Sequence, residues 1–180
     1  MNNDSTIPRV SSLVDVFREF PDTSRALGAL HHEIMRRDSA FSLGERELMA
    51  SLVSALNGCR YCTGIHEATA EAFGVEPGLL AELVADVDTA NVNDRLKPVL
   101  RFVAKLALEP AKVVPGDTQA MLEAGWDGNA VFDAVCVCSF YSFMNRYVDG
   151  TGLQSSPEEL RKMGAELAEH HLGTSAGRAP

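Results

Sequence analysis

Apolar residues in this chain recur three and four positions apart almost from one end to the other, a period that fits packed helices and little else. Leu13, Val16, Phe17 and Phe20 form one stripe, and Leu27, Leu30, Ile34 and Met35 a second. Leu48, Leu52, Val53 and Leu56 continue the pattern, followed by Leu96, Val99, Leu100, Val103 and Leu106. Val, Ile and Thr never gather into the alternating runs of a half-buried strand. Breakers divide the stripes: Pro21, Asn57-Gly58, Gly74 with Pro77, Pro110, Pro115-Gly116, Gly125, Gly150-Thr151-Gly152 and Pro157. Ser42-Leu43-Gly44-Glu45 fits a capping box, and Ser156-Pro157-Glu158-Glu159 an N-cap, a first-position proline and two acids. The pattern predicts an all-α bundle of about eight to nine helices with no sheet.

At 180 residues, 46% of them hydrophobic and 23% charged, the chain is long enough for one full-sized core. We expect a single domain over 1–172 and a flexible tail over 173–180, from Gly173 onward. The stretch from Asp127 to Asp149 stands apart: Val131, Phe132, Val135, Val137, Phe140, Tyr141, Phe143, Met144, Tyr147 and Val148 leave it little polar face. A helix apolar nearly all round is either central or covered by another subunit, so a homo-oligomer is expected.

The formal net charge of -9 repels phosphate backbones, and no Lys/Arg cluster offsets it, which argues against nucleic acid as a partner. No apolar run approaches the ~20 residues of a membrane-spanning helix, so no membrane partner is expected. The start, Met1-Asn2-Asn3-Asp4-Ser5, has neither the basic nor the apolar region of a secretory signal, and a cytoplasmic location follows as an expectation.

Four cysteines are too few for a disulfide scaffold, but two of them form a C-x-x-C, Cys59 and Cys62. Gly58 ends one helix and Cys59 opens the next, which sets the pair in a first helical turn, where free N–H groups and the helix dipole favour a thiolate. Cys62 and His66 are four apart and share a helix face, and Cys59 lies two turns from His66 on that same face. A neutral imidazole there can take a thiol proton, which a sulfur needs before it attacks a peroxide oxygen. Glu47 lies about 15 Å before Asn57 along one helix, and His66 a little less far along the next. A reversal at Asn57-Gly58 therefore returns Glu47 to the height of His66, in contact directly or through one water, where a carboxylate fixes the tautomer. Cys59, nearer the helix start, competes with Cys62 as the attacking sulfur; the spacing to His66 favours Cys62.

The remaining polar and cysteine patterns have ordinary explanations. A structural zinc site would need a fourth ligand beyond Cys59, Cys62 and His66, and none is suitably spaced. Cys136 and Cys138, two apart on the apolar helix, read as buried and inert. His31-His32-Glu33 and Glu169-His170-His171 read as solvent-facing, because adjacent histidines diverge by about 100°. Asp86 to Asp94 lacks the glycine and terminal glutamate of a calcium loop and reads as a capping loop, with Asn93 or Asp94 starting the next helix. Trp126 and Tyr141 read as core or interface aromatics, and Asn145-Arg146 as a polar edge left outside the catalytic set.

Glu47, followed after eleven residues by Cys59, Cys62 and His66 in the order Cys-x-x-Cys-x-x-x-His, resembles the active-site motif of the AhpD-like alkylhydroperoxidases, in the carboxymuconolactone decarboxylase superfamily. Tyr61 before the second cysteine resembles the peroxidase-related branch, as do Ala124-Gly125-Trp126 and Phe143-Met144-Asn145-Arg146-Tyr147 downstream. The likeness runs from roughly residue 10 to 155. It implies an all-α fold, oligomeric assembly as a dimer, trimer or hexamer, and reduction of a hydroperoxide through a transient Cys59–Cys62 disulfide, in antioxidant defence. It also implies an external dithiol reductant, lipoyl-type or thioredoxin-like, and neither cofactor nor metal. Founding members carry a relay histidine between the cysteines where this chain has Tyr61, which stands as an auxiliary candidate. The decarboxylase members lack the C-x-x-C. The expected mechanism has His66, oriented by Glu47, deprotonating Cys62, with Cys59 closing the disulfide. Its alternatives are a redox-sensing or chaperone-like oligomer without turnover, and a zinc-stabilised interaction module.

Overall fold

The computed structural model describes Ile7 and residues 10–176, with side chains as far as His170. Among the described residues there are nine α-helices and no strand: α1 Leu13–Glu19, α2 Pro21–Met35, α3 Leu43–Leu56, α4 Arg60–Ala72, α5 Leu79–Ala85, α6 Lys97–Leu108, α7 Pro115–Glu123, α8 Gly128–Thr151 and α9 Pro157–Ala176. A single 3-10 turn, Pro110–Lys112, links α6 to α7. The all-α architecture expected from the apolar period is the one observed.

Local chemistry sets the ends of the helices that matter most. Ser42 Oγ accepts from the Glu45 N–H while Glu45 reaches back to the Ser42 N–H at 2.8 Å, a complete capping box at the start of α3. At the other end of α3, Gly58 takes a positive φ of 78°, and its N–H donates to the Ala55 carbonyl. The Cys59 N–H donates to the Ser54 carbonyl, completing a Schellman turn that a residue with a Cβ would strain. Arg46 on α3 donates to the Arg37 carbonyl at 2.7 Å and so holds the end of α2 beside it.

The main core is built by Met49, Leu52 and Val53 of α3, Leu80 and Leu83 of α5, Val99, Leu100 and Val103 of α6, and Val137 and Tyr141 of α8. Each such side chain contributes about 1.5–3 kcal/mol on burial. A smaller apolar cluster gathers Val10, Val16, Ile65, Val148, Leu153 and Leu160 around Cys59 and Cys62. There α9 packs along α4 at very close range: a Cβ on Gly164 would lie 2.5 Å from the Ile65 carbonyl oxygen.

Several expectations are refined. Helix α6 starts at Lys97 with Leu96 as its N-cap; Asn93 instead bends the loop by accepting from the Arg95 N–H. α9 runs to Ala176, past the Gly173 at which we place the start of a tail. Residues 177–180 and the N-terminal residues 1–6 and 8–9, on which the location expectation rests, lie outside the described residues. Trp126 and Tyr141 are both buried. Cys138 is buried and donates to the Val103 carbonyl, but Cys136 is only half-buried, beside Asp133 and Arg37. His31 is not solvent-facing: it is half-buried, with its ring 6.0 Å from that of Phe140. No helix among the described residues is long and apolar enough to cross a membrane.

Candidate active site

The Schellman turn at Gly58 delivers Cys59 as the N-cap of α4 and Cys62 as its third helical residue. Both sulfurs are enclosed: Cys59 is 0% and Cys62 4% exposed. One turn further along α4, the imidazole of His66 is also buried, its ring meeting Tyr141 edge-on at 4.4 Å.

Helix α3 returns Glu47 to the height of His66, and the two side chains touch directly, Oε2 to Nδ1 at 2.6 Å. Glu47 is fully buried, and its other oxygen lies 2.6 Å from Nη2 of Arg36, the residue that closes α2. Burial alone would raise the Glu47 carboxyl; the charge and hydrogen bond of His66, then those of Arg36, more than offset this and hold it below the usual carboxylate range. An ionised carboxylate only accepts, so Nδ1 of His66 donates its hydrogen to Glu47, and Nε2 is the ring nitrogen left to exchange a proton.

The two sulfurs are driven apart. The Cys59 thiol hydrogen-bonds to Cys62, which pulls Cys62 below the ordinary thiol range; burial opposes this, while the charge of His66 and a hydrogen bond from Asn145 reinforce it. For Cys59 the same bond acts in reverse, and burial, the charge of Cys62 and a hydrogen bond to Asp149 all push in that upward direction. The result is one sulfur prepared to ionise and one held as a thiol.

Asn145 belongs to this centre, although the sequence reading left it outside. Its Oδ1 accepts from Asn57 Nδ2 at 2.9 Å, and its Nδ2 donates to Ser54 Oγ at 2.9 Å. Ser54 spends its only hydrogen on the Ala50 carbonyl at 2.8 Å, so its oxygen can only accept from Asn145. That fixes the amide with its NH₂ toward Ser54 and Cys62. Arg146, its neighbour, is exposed and donates to the Ser142 carbonyl. The sequence signal for Asn145 was its place in an otherwise apolar helix, since a buried amide must find partners. Arg36 and His31 carried no comparable signal.

Tyr61 lies beside the pair, 6% exposed, its phenol pushed up to about 12 by burial and by the neighbouring sulfurs. It is a hydrogen donor at neutral pH and no base. A cleft of about 810 Å³ opens against the site, between α4 and the α8–α9 junction, with Gly58, Arg60, Tyr61, Asp149, Leu153 and Leu160 among its walls. Neither cysteine is among its walls, although their chain neighbours Gly58, Arg60, Tyr61 and Thr63 are. Among the described residues no group of three or more His, Cys, Asp or Glu side chains is arranged to hold a metal ion.

Comparison with known proteins places the fold. The family model of the carboxymuconolactone decarboxylase family matches residues 21–105, from the start of α2 into α6. The AhpD-core, peroxidase-related protein of Ralstonia eutropha JMP134 is 26% identical with a TM-score of 0.75, the match covering 83% of this chain and 78% of that one. A peroxidase-related protein of Silicibacter sp. TM1040 is 25% identical, also at a TM-score of 0.75, over 81% of this chain and 76% of that one. The debrominase Bmp8, solved with 2,3,4-tribromopyrrole, shares the fold at a TM-score of 0.71 and 17% identity, over 82% of this chain and 79% of that one. No curated protein matches the chain.

Proposed function

From its family and fold match to the AhpD-like, carboxymuconolactone decarboxylase and peroxidase-related superfamily, we propose that this chain is a thiol-dependent hydroperoxide reductase acting in antioxidant defence. The observation that carries the reading is the opposite bias on the two sulfurs, set beside a buried Glu47–His66 pair.

His66 Nε2 takes the Cys62 proton, with Glu47 and Arg36 holding the ring. The Cys62 thiolate attacks the distal oxygen of ROOH; the O–O bond breaks and ROH leaves with the proton that His66 returns, while Cys62 becomes a sulfenic acid. Cys59 then bonds to the Cys62 sulfur, water leaves, and the disulfide is formed. An external dithiol, lipoyl-type or thioredoxin-like, reduces it by two successive exchanges and becomes a disulfide itself. The cleft beside Tyr61 is the route by which hydroperoxide and reductant arrive, and Tyr61 assists as a hydrogen donor.

The chain works as a homo-oligomer in the cytoplasm under this reading. Support for assembly comes from α8, where Phe132 and Phe143 stay 62% and 48% exposed while the other large apolar side chains of that helix are buried or half-buried. The bromopyrrole complex of Bmp8 on the same fold means that the hydroperoxide is assigned here by the sulfur chemistry and not by the fold.

The test is a thiol titration before and after one equivalent of an alkyl hydroperoxide. The expected result is loss of two thiols per chain with release of one ROH, both abolished in Cys62→Ser. An unchanged thiol count would sink the proposal.

A further inference from the structure

The guanidinium of Arg36 is held as a fixed group beside the Glu47–His66 pair. Its side chain is 5% exposed, and Nη2 lies 2.6 Å from Glu47 Oε1. Nη1 donates to the Met35 carbonyl at 3.1 Å, and the planar group sits over the Phe73 ring at 5.8 Å, at the end of α4. Arg46 anchors the same end of α2 by donating to the Arg37 carbonyl. The opposite oxygen of Glu47 meets Nδ1 of His66 at 2.6 Å. One fully buried carboxylate therefore joins a cation that never loses its proton to a base that must gain one.

Charge counting shows what the cation does. With the imidazole neutral, Arg36, Glu47 and His66 together carry no net charge, and a buried cluster resists departure from that sum. Transfer of the Cys62 proton to Nε2 makes a cation at the ring and an anion at the sulfur, with nothing exchanged with solvent. Without the guanidinium the same cluster is left with one negative charge and takes a proton from water to restore neutrality. Whether that proton rides on the carboxyl or on the ring, Nε2 then carries a hydrogen. Cys62 can then ionise only by giving its proton to solvent, which leaves a net charge inside. The other ionisable groups facing the pair are His31 of α2, Arg46 of α3, Cys59 and Cys62 of α4 and Tyr141 of α8, with Tyr61 and Asp149 beyond the sulfurs. Arg46 is spent on the carbonyls that close α2, Arg37 pairs with Asp133, and His31, lowered to about 4, is uncharged at neutral pH. Arg36 is left as the cation that offsets Glu47.

We propose that Arg36 is a positioning residue whose fixed charge balances Glu47, so that His66 takes up the Cys62 proton with none entering from solvent. The proposal rests on the thiol mechanism above and sets the pH range over which its first step runs. In that step the proton moves from Sγ to Nε2, and both electrons of the S–H bond stay on sulfur. Arg36, Glu47 and His66 go from no net charge to one positive charge, which the thiolate of Cys62 cancels.

The test is the pH dependence of iodoacetamide labelling at Cys62 in reduced wild type, Arg36→Lys, Arg36→Gln and Arg36→Met, with folding checked by circular dichroism. Cleavage at Arg60 puts Cys59 and Cys62 on separate tryptic peptides, so each is read by mass spectrometry. Gln keeps a hydrogen bond to Glu47 without the charge, and Lys keeps the charge without the planar fork. The midpoint for Cys62 is expected to rise by about one to three pH units in R36Q and R36M. Labelling at neutral pH then falls about tenfold or more, and R36K restores it. An unchanged midpoint in R36Q, a midpoint in R36K as high as in R36Q, or a loss of rate equal at every pH overturns the proposal. Should neither neutral variant fold, Glu47→Gln combined with Arg36→Met decides, because it removes both charges together. A midpoint within about one pH unit of wild type then upholds the charge balance, and a larger rise rejects it. The same chains are also given one equivalent of cumene hydroperoxide. If wild type consumes none while the midpoints separate as stated, it is the hydroperoxide reading that fails, and the role of Arg36 stands.

Discussion

Nδ1 of His66 lies 2.6 Å from Oε2 of Glu47, a residue of the preceding helix with no exposed surface. The opposite oxygen of that carboxylate holds Arg36 at the same distance. Glu47 therefore neutralises a buried guanidinium as well as fixing an imidazole. Replacing it by Gln leaves Arg36 charged and unpaired, and unfolding in urea is expected to show a loss of about 3–5 kcal/mol. Adding Arg36→Met to Glu47→Gln removes the stranded charge and is expected to recover most of that loss. A Glu47→Gln chain as stable as wild type would contradict the assigned network.

Asn145 is expected to govern how readily Cys62 ionises. Asn145→Leu keeps the branching at Cγ but removes the amide that favours the Cys62 thiolate and the hydrogen bond to Ser54. Alkylation of Cys62 at neutral pH should slow by about tenfold, with a stability cost of about 1–3 kcal/mol from the unsatisfied Ser54 and Asn57 groups. Unchanged alkylation would place Asn145 in a purely structural role.

The contrast between Glu47 and Asn145 shows what the sequence makes legible. Glu47 could be placed because only one reversal, at Asn57-Gly58, separates it from His66, and helix rise alone gives the register. Asn145 reaches the same centre from 88 residues beyond Asn57, a distance over which no local period carries information. Arg36 is harder still, since it sits past the last turn of α2 and is positioned only because Arg46 grips that helix end. His31 was misread because two adjacent histidines do diverge, but one of them turns inward against Phe140. The helical period and the breakers suffice for the bundle; the packing of α2 and α8 on the site is tertiary and leaves no local mark in the sequence.

The inward turn of His31 has a pH signature. Burial first, and then the charge of Arg36, lowers His31 from 6.5 to about 4. Between those values the unfolded chain binds a proton that the folded chain does not. Stability from this residue is therefore full above pH 6.5 and is lost as pH falls toward 4. Glu47 and Asp15 start from 4.5 and 3.8 and are lowered, so they act at lower pH. Urea midpoints at pH 7 and pH 5 should thus fall in wild type and fall less in His31→Gln. Equal slopes would show that His31 titrates as in the unfolded chain.

Gly164 tests the close packing of α9 on α4. A Cβ there would meet the Ile65 carbonyl oxygen at 2.5 Å and Ala68 Cβ at 2.7 Å, both on the helix that carries the cysteines. Gly164→Ala is expected to cost about 1–3 kcal/mol. Gly28→Ala, on a helix with nothing within 4 Å of the new Cβ, is expected to stabilise by about 0.5–1 kcal/mol. A neutral Gly164→Ala would show that the two helices are free to part.

The division of labour between the sulfurs is most directly read by alkylating Cys59 and Cys62 separately as a function of pH, with the two peptides resolved by mass spectrometry. Cys62 should label first, with a midpoint below the ordinary thiol value, and Cys59 should follow only in strongly alkaline solution. Cys59 labelling ahead of Cys62 would contradict the account.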